Sequence, residues 1–220
     1  MRPARTWVLA AVIVASGLVS GGCAVGRSEV KLGSPGMEAP AAAGGKVVVI
    51  RSVKDERVFE QSPRDPSTPS LGGEGAASAS AETKARAIAR KRNTYGMALG
   101  DVVLEQGKTV EVVVRENLSA ALRKAGYDVR DAAGAGAAPI FIDARIRKFW
   151  AWFTPGAFMI TLRANIETDL TVSGGNPPVN VSVSSEQSGM FGGDGMWIEV
   201  VDKALQQYRD QAASKTAGLK

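Results

Sequence analysis

IFIDARIRKFWAWFTPGAFMITLRANIETDLTVSGGNPPVNVSVS, residues 140–184, decides the fold. Ile140, Ile142, Ala144 and Ile146 alternate with Phe141, Asp143, Arg145 and Arg147. Ile160, Leu162, Ala164, Ile166, Leu170 and Val172 alternate with Thr161, Arg163, Asn165, Glu167, Asp169 and Thr171. Val179, Val181 and Val183 alternate with Asn180, Ser182 and Ser184. A period of two with one apolar and one polar set belongs to strands buried on one face, so the stretch predicts three antiparallel strands. Asn176-Pro177-Pro178 marks the second turn. A one-residue slip would turn every side chain over. The first two strands must therefore oppose even positions to even positions, which a two-residue turn at Pro155-Gly156 does not do. The pattern predicts an odd-length loop or a bulge centred near Gly156, with Arg145 opposite Glu167 as a favourable cross-strand pair.

Two helical stripes flank this stretch. Val110, Val113, Val114, Leu118, Ala121, Leu122 and Ala125 share one face of a helix over 109–125, with Thr109 as N-cap and Gly126 just past its end. Trp197, Val200, Val201, Ala204, Leu205 and Tyr208 form the second stripe, capped near Asp194. KVVVIRSV, residues 46–53, is a β-branched strand. The expected architecture is a two-layer α+β sandwich: one mixed or antiparallel sheet of about four strands, with two amphipathic helices packed on one face. Residues 46–215 make a single domain. Residues 61–85, dense in Ser, Pro, Gly and Ala, read as a low-complexity loop or disordered insert.

The N-terminus carries a different message. Arg2 and Arg5 precede an uncharged, largely apolar run from Trp7 to Leu18, and small residues lead up to Cys23. This is the layout of a secretory leader over 1–22, and the run is short of the roughly 20 apolar residues of a membrane span. Cys23 is the only cysteine, so it has no disulfide partner within the chain. Val19-Ser20-Gly21-Gly22-Cys23 resembles the bacterial lipobox, whose cysteine receives diacylglycerol and becomes the new N-terminus. Ser20 stands where that motif usually has leucine. Two or three acyl chains hold a protein on a membrane where one does so only marginally. Ala24, rather than an aspartate, follows the cysteine, and by resemblance to enterobacterial sorting this implies the outer membrane, facing the periplasm, with the inner membrane as the alternative. Residues 23–45, rich in Gly, Ala, Pro and Ser, then read as a flexible tether.

Composition narrows the function classes. Removing the leader takes Arg2 and Arg5 from the 27 basic residues, leaving 25 against 22 acidic ones. That mild balance does not call for nucleic acid, whose binding takes many phosphate contacts from Lys and Arg. Histidine is absent, which excludes His-dependent triads and His-based zinc sites. No cofactor or metal motif is present.

Cys23, the strand KVVVIRSVKDER, the stretch Arg92-Asn93-Thr94-Tyr95-Gly96-Met97 and the helix end Leu122-Arg123-Lys124-Ala125-Gly126-Tyr127 together resemble the YajG-like family of bacterial lipoproteins. The C-terminal half, three strands and a helix, extends the resemblance. It implies an outer-membrane lipoprotein without an assigned biochemical role. The insert over 61–85 is longer than the family pattern.

Two groups of residues are interaction candidates. Lys84, Arg86, Arg90, Lys91 and Arg92 form the densest positive run, suited to lipid head groups, lipopolysaccharide phosphates or an acidic partner, or else to a solvated face. Phe149-Trp150-Ala151-Trp152-Phe153, with Phe158 and Met159 across the turn, gathers aromatics at one hairpin end. Trp150 and Trp152 continue the apolar parity of the strand and are expected in the core. Phe149 and Phe153 point the other way, toward an exposed patch. Residues 189–195, GMFGGDG, read as a flexible entry to the last helix rather than an anion nest. Asp143, Glu167 and Asp169 on the wet face read as cross-strand partners rather than paired catalytic acids. The sequence thus favours a non-catalytic binding domain held on the membrane through lipid on Cys23. Its expected partner is an envelope protein, lipopolysaccharide or peptidoglycan. The alternatives are a structural or assembly accessory of a larger envelope complex, docking by the aromatic hairpin or a sheet edge, and a carboxylate-based hydrolase.

Overall fold

The computed structural model describes residues 26–36, 45–73, 75–93, 95–134, 138–156, 159–190 and 193–220. The leader, Cys23, Phe158, and Phe191 and Gly192 of the glycine run lie outside the described residues. In chain order the elements are β1 (Ser28–Val30), β2 (Val47–Asp55), α1 (Ala81–Arg86), β3 (Ala87–Arg92), β4 (Ala98–Leu104), α2 (Val110–Lys124) and β5 (Asp128–Val129), then β6 (Ile140–Pro155), β7 (Ile160–Val172), β8 (Val179–Gly189) and α3 (Asp194–Thr216).

The eight strands form one open mixed sheet, larger than the four expected. β6 is its spine. β7 lies antiparallel along one side of it, while the other side takes β2 and then β3, both parallel. β4 and β1 continue the sheet beyond β3, β5 beyond β2, and β8 beyond β7. The additional strands β1, β3, β4 and β5 are two to seven residues long and carry no clean alternation. β3, for example, ends in three consecutive cations.

The helices follow their stripes. Thr109 caps α2 by accepting the Val112 N–H at 3.3 Å, and Gly126, at φ +92°, takes the left-handed turn that ends it. The buried residues of α2 and α3, the fully buried Tyr208 among them, join the inward-facing residues of β2, β6 and β7 in one core. The Tyr208 hydroxyl shares a 3.0 Å hydrogen bond with that of Thr168, and burial pushes the phenol up to about 12.

The register of the β6–β7 hairpin needs correction. Pro155 pairs with Ile160 across a turn closed by the Gly156 N–H on the Met159 carbonyl at 2.9 Å, so the loop does not supply the odd residue. A bulge at Arg147 does, between the pairs Ile146–Thr168 and Lys148–Glu167. Arg145 faces Asp169, not Glu167. Ile142 to Ile146 keep the even parity toward the helices, and Phe149 and Ala151 then take it over with odd parity. Trp150 and Trp152 are turned to the opposite face, where Trp150 packs with Leu71, Ala87 and Val103 in a second cluster.

That second cluster explains the insert. Phe59 meets Trp150 edge to face at 5.9 Å, and the Trp150 indole N–H donates to the Pro66 carbonyl at 3.2 Å. Leu71, Ala76 and Ser70 are buried. Much of 61–85 is therefore irregular chain packed over the sheet, and α1 closes it, with the Ser80 hydroxyl accepting the Thr83 N–H. The tether expectation also gives way in part. Ser28–Val30 pairs in parallel with Val102–Leu104, and the Gly33 N–H donates to the Asp202 carboxylate at 3.1 Å.

Candidate functional site

The five cations of the positive run do not form one surface patch: Lys84 and Arg86 lie on α1, and β3 deals Arg90, Lys91 and Arg92 to alternate faces. Arg86 bonds Glu29 at 2.5 Å and the Leu104 carbonyl at 2.7 Å. Lys91 is buried on the helix face, donating to the Ser28 hydroxyl and reaching Asp194 at 3.4 Å. Arg92 points toward the insert, donating to the Pro63 carbonyl at 2.9 Å and the Ser70 hydroxyl at 3.1 Å. Arg90 is half-buried, and its Nε and Nη1 are buried without a hydrogen-bond partner. Lys84 is half-buried on α1, where its carbonyl accepts from Arg57 at 2.8 Å. Most of this charge is spent holding β1, the insert and the sheet together.

The aromatic pair divides as well. Phe149 is 1 % exposed and belongs to the core, so its expected place on an exposed patch is overturned by the bulge at Arg147. Phe153 is half-buried and lines a cleft of about 210 Å³ with Lys91, Arg92, Leu99, Ile160, Leu162 and Trp197. Two candidate groups read separately from the sequence thus meet at one place. Leu99, Leu162 and Trp197 were not legible as site residues, because they come from β4, β7 and α3 and share no local spacing. The wall is apolar, and the Lys91 ammonium is its one buried cation among the described lining residues.

The wet face carries acids in ion pairs rather than a converging dyad. Asp143 accepts from Arg51 and, at 2.6 Å, from the Ser52 hydroxyl. The Arg51 hydrogen bond first, and Ser52 second, hold its carboxyl down at about 2. Asp169 accepts from Asn180 at 3.0 Å and Arg147 at 2.7 Å, which lower its pKa in that order. Arg147 also reaches Glu56 at 2.7 Å. Carboxyls held ionised in this way have no proton to donate at neutral pH. Among the described residues no group of three or more acids is placed to hold a metal ion, and no helix is long and apolar enough to cross a membrane.

Both long free edges of the sheet are stoppered from the helix layer. On β8, Gln211 accepts the Ser182 N–H at 2.8 Å, Lys215 donates to the Asn180 carbonyl at 2.7 Å and Lys203 to the Glu186 carbonyl at 3.1 Å. On β2, Arg115 donates to the Ile50 carbonyl at 2.7 Å and Glu111 accepts the Asp55 N–H at 2.8 Å. Edge groups engaged in this way are poor templates for an added strand.

No family model matches the chain, and no curated protein does. Among solved structures the chain is similar to an uncharacterized protein at 9 % identity and TM-score 0.41, covering 86 % of this chain and 97 % of that one. It is also similar to a Xanthomonas campestris protein assigned to the family model DUF330, at 9 % identity and TM-score 0.39, covering 87 % and 93 %.

Proposed function

We propose that this chain is a lipid-anchored envelope lipoprotein, held on the outer membrane through Cys23, whose α+β domain binds another envelope component without catalysing a reaction. The cleft at Phe153 carries the binding half of this reading. At about 210 Å³ it is smaller than the roughly 300–1,000 Å³ of small-molecule sites, so it suits a side chain or segment of a larger component. Lys91 at its wall favours a segment with an acidic or phosphate group beside its apolar part. The anchoring half rests on the leader layout and the lone cysteine, and the YajG-like resemblance points the same way. The ion-paired acids of the wet face weigh against the hydrolase alternative. The capped edges weigh against docking by strand addition.

The test is made in cells with the full precursor. A clickable palmitate analogue should label the wild-type chain, and Cys23→Ser should abolish the label and release the chain from the membrane fraction. A photo-reactive residue at position 153 should give one dominant envelope adduct that Lys91→Gln weakens. Label retained in Cys23→Ser would overturn the anchor, and absence of any adduct from 153 would overturn the cleft.

A further inference from the structure

Six large apolar side chains among the described residues are exposed, and four of them lie at one end of the sheet. Arg92 pairs with Ala98, so Tyr95 and Met97 sit at the tip of the β3–β4 hairpin. Ala89 pairs in parallel with Ala151, which brings the end of β6 level with that tip. Pro155 pairs with Ile160 and Ile160 with Gly189, so Met159 and Met190 lie in the next two connections at the same end. Tyr95 is 88 % exposed, Met190 72 %, Met97 61 % and Met159 54 %. Six strands lie side by side along this end from β1 to β8, and their five spacings of about 4.8 Å make a row of tips about 25 Å wide.

The chain arrives from Cys23 at this same end. The Gly26 N–H donates to the Leu99 carbonyl at 2.6 Å, two residues from Met97. Gly100, at φ +141°, lies so close that a Cβ on it would stand 1.9 Å from the Gly26 carbonyl oxygen. The entry is therefore pinned against the hairpin by a contact only glycine permits. Three trans-peptide steps separate the Cα atoms of Cys23 and Gly26, so covalent geometry limits their distance to about 11 Å. Arg27, half-exposed beside the entry, is ion-paired with the buried Asp101 at 3.7 Å and so helps fix the entry to β4.

We propose that this end rests on the bilayer that holds the anchor, with Tyr95, Met97, Met159 and Met190 in the interfacial layer; the proposal rests on the lipidation of Cys23. A lipid on Cys23 brings the tips within reach of the head groups whatever else the domain does. Apolar groups at that depth leave water, tyrosine is at home at the boundary, and methionine adapts to its irregular packing. The side of the domain away from this end, including the start of α2, then faces the periplasm.

The mature lipidated chain is the material for the test, because alkylation consumes the Cys23 thiol and an added cysteine becomes the single reactive one. Tyr95→Cys, Met190→Cys and, as the distant control, Val112→Cys are labelled with an environment-sensitive fluorophore and reconstituted into phosphatidylethanolamine–phosphatidylglycerol vesicles. Labels at 95 and 190 should shift to the blue and be quenched by a lipid-borne nitroxide, and the label at 112 should stay aqueous. Aqueous labels at 95 and 190 on a chain whose mass shows the lipid would overturn this orientation and leave the anchor standing. A mass without lipid on Cys23 would overturn the anchor and the orientation with it. Protection of position 95 from thiol reagents in cells, without nitroxide quenching in vesicles, would give this end to a protein partner instead and overturn the bilayer contact.

Discussion

Residues 140–146 and 148–155 belong to one strand, yet they present opposite parities to the helix layer. In the first part Ile142, Ala144 and Ile146 face the helices while Asp143 and Arg145 face water among partner charges. In the second part Phe149 and Ala151 face the helices, and Trp150 faces a second core under the insert. The first part has one dry face and the second has two. A single extra residue, Arg147, separates them, and its guanidinium is held outside by Glu56 and Asp169. A bulge thus lets one strand serve a half-wet sheet and a fully covered one.

Three experiments break or sharpen this contrast. Deleting Arg147 should have the largest effect. Phe149 and Ala151 would exchange faces with Trp150 and Trp152, at a cost of roughly 5 kcal/mol or more, comparable to the whole stability of a domain. Loss of the cooperative thermal transition is the expected readout, and a deletion variant that melts like the parent would refute the bulge as the device that sets the faces. Trp150→Ala should come next, at about 3–5 kcal/mol for a large buried side chain. The insert should then become cleavable over 61–79 under limited proteolysis, whereas a stable but uncut variant would show that the insert is held by Arg92 and Arg57 alone. Smallest is the alkaline response of Tyr208, which belongs to the first part through Thr168 and its partner Ile146. Its folded pKa, about 12, lies above the ordinary value near 10. Folding therefore favours the protonated phenol: its contribution is complete below about pH 10 and is lost as pH rises toward 12. The loss is on the order of 2–3 kcal/mol. Denaturant titrations across that range should show the fall in the parent and a flatter course in Tyr208→Phe.

Much of the fold was legible because it is written in near neighbours. The stripe from Val110 to Leu122, with Thr109 and Gly126 at its ends, fixed α2 to within a residue. The alternation over 160–172 and 179–184 fixed β7 and β8, which pair with the strands next to them in sequence. The strands that escaped reading are short and carry no clean alternation, and two of them also have distant partners. β1 reaches across about 70 residues to β4, and β3 across about 60 to β6. The positive run misled for a related reason: Lys91 and Arg92 read as one patch in the sequence, and β3 sends them to opposite sides of the sheet.

The candidate sites divide in the same way. The proposed lipid attachment at Cys23 rests on sequence alone, on a motif that needs no fold. Phe153 was legible as part of an aromatic cluster, but its cleft is assembled from β3, β4, β6, β7 and α3. The four exposed tips at 95, 97, 159 and 190 are scattered along the chain and become one surface only when the strand ends align.

By itself the sequence determined the two long helices and the alternating strands, because periodicity and caps are local patterns; the proposal of a lipid on Cys23 rests on the same kind of local pattern, the leader layout. Only the tertiary structure decided the parity of Phe149 to Phe153. In FWAWF every residue is apolar, so a period of two has no phase there. Which face each ring takes is settled by what lies opposite: helices on one side and the insert on the other.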